Sequence, residues 1–247
     1  MKIVVSPNPY RDKQFKNARQ ACSILREAGA EVALCLPFDV DKTFEIPHDL
    51  RFQDIQKEIK TADMLICFGG DGTIHEVVNG LFIQKAVPTT EVLVGVIAVG
   101  TGNDWIRMFG IPRKYSEAIR AIVEGHSFLQ DVGVVSYHKA TYKQERYMAN
   151  VAGVGFDAVV NRRYNHLKEE GKRGKWLYLW STLKALLRYS STGVKVYVDD
   201  ELVVNDLVYS ATIGIGRYNG GGMLQTPDAV ADDGLFDLTV IRKMSWL

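Results

Sequence analysis

The chain has 247 residues, 47% of them hydrophobic and 24% charged, and its 30 Lys and Arg nearly balance its 29 Asp and Glu for a net charge of +1. This composition is typical of globular proteins and excludes global disorder, and the small net charge argues against nucleic-acid binding through bulk charge. No uncharged apolar run approaches the roughly 20 residues of a membrane-spanning helix, and the apolar run after Met1 is too short for a signal peptide. The three cysteines, Cys22, Cys35 and Cys67, lie in apolar segments without metal-type spacing, which predicts buried thiols in the reducing cytoplasm.

The first half of the chain alternates predicted strands and helices. Strands are predicted at 2–5, 31–36, 64–68 and 93–99, and helices at 18–28, 52–61 and 73–82. The strands are nearly continuous apolar runs, as in parallel sheets that helices cover on both faces. We therefore predict a doubly wound parallel α/β domain over residues 1–128, which binds ligands at the carboxyl ends of its strands.

The second half is richer in Val, Tyr, Phe and Thr. Strands are predicted at 131–136, 145–151, 194–198, 207–215 and 235–241, with turns at 199–200, 219–222 and 232–234. This pattern predicts an antiparallel β-sandwich domain over residues 129–247, interrupted by a helix at about 161–189. That helix carries eight Lys and Arg, two Glu and five Trp or Tyr, which favours contact with an anionic membrane surface. The alternative is a solvated helix whose aromatic side chains pack on the sandwich.

Two glycine-rich segments, Gly69–Thr73 and Gly100–Asp104, each follow a predicted strand. Glycine allows close approach of the backbone, and the free N–H groups at a helix start attract phosphate. Because neighbouring parallel strands end at one edge of the sheet, the two loops are predicted to hold one polyphosphate between them. Asp71 in the first loop suggests a metal, a nearby cation or a proton-accepting role. Alternatively, it caps the following helix after a tight turn.

A second group of carboxylates lies near the end of the sequence. Asp228, Asp232 and Asp233 crowd one short turn beside Gly234. Magnesium prefers hard oxygen ligands, which these side chains and the backbone carbonyls around them provide. The alternative is an acidic turn that is simply solvated.

The order of these segments resembles the diacylglycerol kinase and sphingosine kinase superfamily. The first loop, with Glu76–Gly80 after it, resembles the nucleotide loop, and the second loop, with Gly110–Pro112, resembles the second phosphate motif. The segment Gly153–Asp157 resembles the family's entry into the second domain. The main block of that domain is resembled by three later segments, Tyr218–Met223, Pro227–Ala229 and Asp232–Asp237. The resemblance implies a cytoplasmic, bacterial-type lipid kinase that uses ATP and Mg²⁺ to phosphorylate diacylglycerol or a similar lipid. It implies transient peripheral membrane contact and no nucleic-acid partner, and it leaves a homodimer open.

The resemblance also implies the binding residues. The nucleotide is expected to contact Asn8, Gly69, Gly70, Asp71, Gly72, Thr73, His75, Glu76, Thr101 and Asn103. A structural magnesium is expected on the Asp233 side chain and the backbone carbonyls of Val230 and Leu235, and a second magnesium near Asp71. After Asn8-Pro9, where family members usually carry a small residue and Gly, this chain carries Tyr10-Arg11. The lipid chain is expected in an apolar pocket between the domains.

The catalytic base is the point at which the sequence departs most from the family. Many bacterial members carry an Asp-Gly-Glu near the C-terminus, and none follows the predicted strand at 235–241. We expect that the sequence is a piece of a longer chain, and that residues 1–247 bind nucleotide but phosphorylate lipid slowly. Alternatively, Asp71 is the catalytic base, as proposed for the sphingosine kinase branch. Two other functions stay open: an NAD kinase, which shares the first loop, and a nucleotide-binding regulatory module.

Overall fold

The computed structural model describes residues 1–37, 44–99, 103–169 and 189–243. The first part of the chain forms a parallel four-stranded sheet of order β2-β1-β3-β4. Its strands are β1 (Lys2–Ser6), β2 (Glu31–Leu34), β3 (Met64–Gly69) and β4 (Leu93–Ala98). Its helices are α1 (Lys16–Glu27), α2 (Ile55–Glu58), α3 (Asp71–Ile83), α4 (Asp104–Met108) and α5 (Tyr115–Glu124). The predicted parallel α/β domain is confirmed.

Alternation along the strands sends side chains to both faces of this sheet. On one face, Ile3, Val5 and Ile66 pack in a single core with Leu25 of α1 and Ile119 of α5. The opposite face carries two separate clusters of buried residues. One lies under α2 and includes Val4, Ala33 and Cys35, and the other lies under α3 and α4 and includes Cys67, Ile74, Val96, Trp105 and Ile106.

The helix predicted at 52–61 is shorter in the structure. Gln53 donates its backbone N–H to Leu34 and forms a parallel bridge with Cys35, so this residue extends the sheet edge. The Asp54 side chain then caps α2 by accepting the N–H of Gln56. After Glu58 the chain tightens into a 3-10 helix, Ile59–Thr61. The helical segment on this part of the sheet is therefore only two short turns long.

The second part of the chain is mainly antiparallel. Its elements are β5 (Gly133–Lys139), β6 (Tyr142–Met148), β7 (Val151–Gly155), α6 (Phe156–Glu169), β8 (Thr192–Val198), β9 (Glu201–Gly214), β10 (Tyr218–Asn219), β11 (Met223–Leu224) and β12 (Asp237–Arg242). The long strand β9 pairs with β7, β8 and β12, while β5 and β6 form a separate hairpin. The predicted antiparallel domain is confirmed. Its boundary at residue 128 stays a prediction and falls between α5 and β5.

Two details of this domain differ from the sequence prediction. The strand predicted at 145–151 is divided in the structure, because β6 ends at Met148 and β7 begins at Val151. Between them, the Asn150 carbonyl accepts the N–H groups of Ile215 and Gly216. The helix predicted from 161 begins earlier, at Phe156, and its part from 170 to 188 lies outside the described residues. The hairpin turn at 199–200 forms as predicted, with Asp199 and Asp200 at φ 48° and 67°.

The three cysteines are buried and free of disulfides. Burial raises the pKa of the Cys67 thiol to about 12 and that of Cys35 to about 11. Each thiol therefore stays protonated and behaves as a small apolar side chain at neutral pH. Across the described ranges, no helix is both long and apolar enough to cross a bilayer.

Candidate active site

The first glycine loop connects β3 to α3 at the carboxyl edge of the parallel sheet. Gly70 is the N-cap of α3, and its carbonyl accepts the N–H groups of Thr73 at 2.9 Å and Ile74 at 3.1 Å. Strand β4 runs parallel to β3 with Ala98 opposite Gly69, so the next loop leaves the sheet at the same edge. The carboxyl ends of β3 and β4 are therefore neighbours, as the sequence predicted. Residues 100–102, which include Thr101, lie outside the described residues.

Asp71 connects the two loops directly. Its carboxylate accepts the backbone N–H groups of Asn103 at 2.8 Å, Asp104 at 3.1 Å and Trp105 at 2.8 Å. These donors lie at the N-cap and in the first turn of α4. The alternative in which Asp71 caps its own helix is therefore wrong, because Gly70 is the N-cap of α3 and Asp71 caps α4 instead.

Asp104 joins the α/β domain to the antiparallel domain. This residue is only 4% exposed, and its Oδ2 accepts the N–H of Gly221 at 2.7 Å. Among the described residues, its Oδ1 has no hydrogen-bond partner. Burial, the largest influence, raises the pKa of this carboxyl above its ordinary value. One turn later on α4, the Arg107 guanidinium lies 5.7 Å from the centre of the Tyr218 ring. This cation–π interaction adds a second contact between α4 and the segment that contains Gly221.

Helix α3 is also attached to the hairpin β5–β6. Asn79 is 2% exposed, and its side chain pairs with the backbone of Tyr147. Its Oδ1 accepts the Tyr147 N–H at 2.9 Å and its Nδ2 donates to the Tyr147 carbonyl at 2.8 Å, as an adjacent strand would. Glu76 accepts from Arg146 at 2.7 Å, and Arg146 also lies 3.2 Å from a ring nitrogen of His75. Burial lowers the pKa of His75, so this ring is neutral near pH 7.

The predicted nucleotide residues that the structure describes follow β1, β3 and β4 at the carboxyl edge of the sheet or lie in the first turns of α3. Asn8 follows β1, and its side chain accepts the N–H of Tyr10 at 3.1 Å. Asn103 has a left-handed backbone, with φ 78°, at the start of α4. Asn8, Gly72, Thr73 and Glu76 line one large cavity, which lies between α2 and α3. His75 and Glu76 also contact Arg146 of β6.

The predicted structural magnesium site lies in the turn before β12, away from the glycine loops in the sequence. Asp233 accepts the N–H of Leu235 at 3.0 Å, and Asp131 accepts the N–H of Gly234 at 2.7 Å, so the turn is fixed locally. The described residues hold no group of three or more His, Cys, Asp or Glu side chains suited to a metal. The predicted site needs one carboxylate and the carbonyls of Val230 and Leu235, which are oxygen ligands of the kind magnesium prefers. It stays a prediction.

Comparison with known proteins identifies the family. Residues 3–135 match the diacylglycerol kinase catalytic domain, and residues 150–247 match the YegS C-terminal NAD kinase beta sandwich-like domain. A diacylglycerol kinase from Mycobacterium tuberculosis is 30% identical over 99% of this chain and 74% of its own length. One from Bacillus subtilis is 28% identical over 98% of this chain and 73% of its own length. The crystal structure of a diacylglycerol kinase from Bacillus anthracis superposes with a TM-score of 0.61 at 25% identity, covering 98% of this chain and 73% of that one.

The chain belongs to the diacylglycerol kinase catalytic domain family. Its predicted family, its fold class and its lipid-kinase chemistry are thereby confirmed. A kinase of this family requires a nucleotide substrate and a lipid substrate. The individual site residues stay predictions.

Sequence reasoning missed several contacts of this kinase site. Asp104 lies inside the second glycine motif, so its acidic side chain beside Asn103 was the available signal. Asn79 and Arg146 gave no local signal, because each bonds to a partner about 70 positions away in sequence, with separations of 68 and 70. The aromatic stack of Trp105, Phe109 and Phe128, which packs beside α4, is equally invisible in a local pattern.

Two glycines of the first loop are expected to respond differently to alanine. A Cβ on Gly69 would overlap the Thr73 side chain, whereas a Cβ on Gly72 would have no heavy atom within 4 Å. We expect Gly69→Ala to lower the free energy of unfolding by about 2 kcal/mol through overpacking. Gly72→Ala should leave the free energy of unfolding unchanged and weaken nucleotide binding, because its methyl group fills the open space beside Gly72. Chemical denaturation measures the stability of both variants, and titration measures their nucleotide affinity. Equal stability of the two variants would contradict the expected overlap between a Cβ at Gly69 and the Thr73 side chain.

Proposed function

We propose that this chain transfers the γ-phosphoryl group of ATP to the hydroxyl of diacylglycerol or a similar lipid. The observation that carries the proposal is that the Asp71 carboxylate of the first glycine loop holds the start of α4 at the edge where β3 and β4 both end. Phosphoryl transfer depends on positioning and charge neutralisation more than on covalent chemistry by the protein. A site built from two fixed loops beside a second domain meets that requirement.

The phosphates are proposed to lie at the start of α3. The N–H groups of the first helical turn point out of the helix and carry its positive dipole end. The open space beside Gly72 leaves room for an anion, and the Thr73 hydroxyl adds a donor. The neutral ring of His75 and the Arg146–Glu76 ion pair lie one turn further along the same helix.

The residues present fit the magnesium ion that accompanies ATP. Asp104 has a buried carboxylate oxygen without a hydrogen-bond partner in the part of the chain that the structure describes, and Asp71 lies beside it. Two carboxylates are the protein ligands that Mg²⁺ commonly uses next to phosphate oxygens. Asp71 and Asp104 would hold the ion, which when bound would neutralise charge on the phosphates.

The proton of the lipid hydroxyl must pass to a base during the transfer. Asp71 is the predicted acceptor, but its carboxylate offers about four acceptor positions, of which three are taken by backbone N–H groups and the last is assigned to the magnesium ion. These contacts support a positioning role for Asp71 better than a proton-accepting one. The Asp71→Asn variant considered in the Discussion separates the two roles.

Transient membrane contact stays part of the proposal. Arg162 and Arg163 begin the basic stretch on α6, and Arg162 is exposed. Basic side chains attract anionic headgroups and would bring the site to a lipid held in a bilayer. The part of that stretch beyond Glu169 lies outside the described residues, and a homodimer stays open.

The direct test is a phosphorylation assay with purified protein, ATP and Mg²⁺. One arm supplies dioleoylglycerol in mixed micelles, a second supplies a long-chain amino alcohol, and a third supplies NAD. We expect phosphate on the lipid and none on NAD. Phosphorylation of NAD would overturn the proposal in favour of the NAD kinase alternative, and ATP binding without product from any lipid would favour a regulatory module.

A further inference from the structure

A second cavity, of about 300 Å³, lies between α1 and residues 49–53, which end at the outer edge of the parallel sheet. We call it the α1 cavity. Its buried residues Cys22 and Leu34 belong to the core under α1 and α5, on the face of the sheet opposite to the cavity between α2 and α3. Among the described residues, none lines both cavities, and none that lines the α1 cavity is a predicted nucleotide residue. The α1 cavity is therefore separate from the proposed kinase site.

Helix α1 forms one wall of the α1 cavity with Arg19, Cys22 and Arg26. Spacings of three and four residues bring these side chains to one face of the helix. Cys22 is buried, and burial raises the pKa of its thiol, so this side chain is an apolar part of the wall. The positive charge of Arg26 opposes this rise in pKa, which means that the guanidinium lies near the Cys22 thiol. Helix α1 therefore brings two guanidinium groups to the α1 cavity.

The opposite wall is held in place by the sheet and by the core. Gln53 donates its backbone N–H to the Leu34 carbonyl at 2.8 Å and forms a parallel bridge with Cys35. Leu50 packs against the core under α1 and α5. Arg51 lies between these two attachments, and Leu50, Arg51 and Gln53 all line the cavity. The backbone that carries Arg51 is therefore fixed relative to α1.

The charges that line the α1 cavity do not balance. Arg19 donates Nη1 and Nη2 to the two carboxylate oxygens of Asp49, so these two charges neutralise each other. Arg26 makes a single hydrogen bond, from Nη2 to the Val32 carbonyl at 3.3 Å. In the described part of the chain, the Arg51 side chain makes no hydrogen bond, and neither Arg26 nor Arg51 forms an ion pair. Two positive charges in one small cavity are thus left without a carboxylate partner.

These two charges define the class of ligand that the α1 cavity can take. Guanidinium groups in one small cavity repel each other unless an anion lies between them. Each guanidinium can donate two parallel hydrogen bonds to a phosphate or a carboxylate. A phosphate monoester carries about 1.5 to 2 negative charges near pH 7 and matches both arginines, whereas a carboxylate carries one and leaves an arginine unpaired. The volume of the cavity is at the lower end of the roughly 300–1,000 Å³ of ligand pockets, which favours a small ligand.

We propose that the α1 cavity binds a phosphate monoester group, whose dianion pairs with Arg26 and Arg51. The amide of Gln53 provides a further donor at the same wall, and Cys22, Leu34 and Leu50 provide apolar contacts for the carbon atoms next to the phosphate. This site is a second one, beyond the proposed function and independent of it. A bound phosphate connects α1 to residues 49–53, so it stabilises the folded protein in proportion to its occupancy.

Calorimetric titration with glycerol 3-phosphate tests this proposal without relying on catalysis. A saturating nonhydrolysable ATP analogue is present throughout, so that the proposed kinase site is occupied. Arg26→Gln and Arg51→Gln each remove one charge from the cavity and should weaken binding about tenfold. Arg120→Gln is the matched control and should change binding less than twofold, because Arg120 is exposed on α5 and does not line the cavity. Asp49→Asn frees Arg19 from its carboxylate partner and should tighten binding about threefold.

Thermal unfolding gives a second readout on the same variants. Without ligand, it shows which variants fold; Arg51→Gln removes no hydrogen bond of the described residues and carries the test even if Arg26→Gln is unstable. With glycerol 3-phosphate, the unfolding temperature of the parent protein and of Arg120→Gln should rise. The rise should be smaller for Arg51→Gln at the same ligand concentration.

A second arm replaces glycerol 3-phosphate by phosphatidic acid in mixed micelles, with phosphatidylcholine micelles as the blank. The expected order of the variants in the soluble arm supports the proposal and identifies a free phosphate monoester as the ligand. The same order in the micelle arm alone supports it and identifies a lipid headgroup. No binding by the parent protein in either arm, or equal binding by Arg26→Gln, Arg51→Gln and Arg120→Gln, would overturn the proposal.

Discussion

Replacing Asp71 by Asn is expected to lower kcat/KM for lipid phosphorylation about 100-fold or more, equivalent to about 2.7 kcal/mol of transition-state stabilisation. The Asp71 carboxylate accepts three backbone N–H groups from the start of α4. An amide of the same shape keeps one oxygen but turns an NH₂ group toward these donors. The second glycine loop should then move away from the first, so nucleotide affinity and thermal stability should fall together with turnover.

Three measurements on the same variant separate the roles of Asp71: turnover, nucleotide affinity by titration, and the unfolding temperature. Loss of turnover with unchanged affinity and stability would identify a proton acceptor instead of a positioning residue. Unchanged turnover would contradict both roles. Asp200→Asn is a suitable control, because Asp200 is exposed in a hairpin turn with a left-handed backbone that Asn tolerates.

Asn79→Ala is expected to lower the free energy of unfolding by about 3 kcal/mol. The substitution leaves the N–H and the carbonyl of Tyr147 without their partner, and each unsatisfied buried group costs about 1–3 kcal/mol. For a protein of this size, that loss lowers the unfolding temperature by roughly 6–12 °C. Turnover should also fall, because α3 begins with the first glycine loop and Asn79 fixes its position against the β5–β6 hairpin.

Two further variants make this result specific. Asn79→Asp keeps the size and one acceptor oxygen but cannot donate to the Tyr147 carbonyl, so it should also be destabilised. Gln20→Ala on α1 removes an exposed amide from a helix and should change the free energy of unfolding by less than about 0.5 kcal/mol. A loss below about 1 kcal/mol for Asn79→Ala would show that water replaces the amide at Tyr147.

Most of the fold could be predicted from patterns among residues that are close together in the sequence. Apolar runs such as Met64–Gly69 and the glycines after them depend only on neighbouring residues, so strands, helices and the shared edge of the two loops could be predicted. The pairing of Asp71 with the first turn of α4 could not, because it depends on how two loops meet in space. The same holds for Asn79, which reaches a strand 68 residues away.

The helix predicted at 52–61 shows why the cavity between α2 and α3 was not expected. Its apolar spacing is correct at Ile55 and Ile59, but Gln53 is held in the sheet edge and delays the start of α2 to Ile55. The consequence of that delay is an uncovered area of sheet, which depends on the length of a neighbouring helix. No pattern within the segment itself contains this information.

Because its three thiols are buried, the folded protein is expected to react very slowly with alkylating reagents. Thiolate is the reacting form, and Cys35 and Cys67, with pKa values of about 11 and 12, supply almost none at neutral pH. A single cysteine introduced on the surface can therefore carry a spectroscopic label without removal of the native ones. Modification of the native thiols, conversely, would report the rate at which the α/β domain opens.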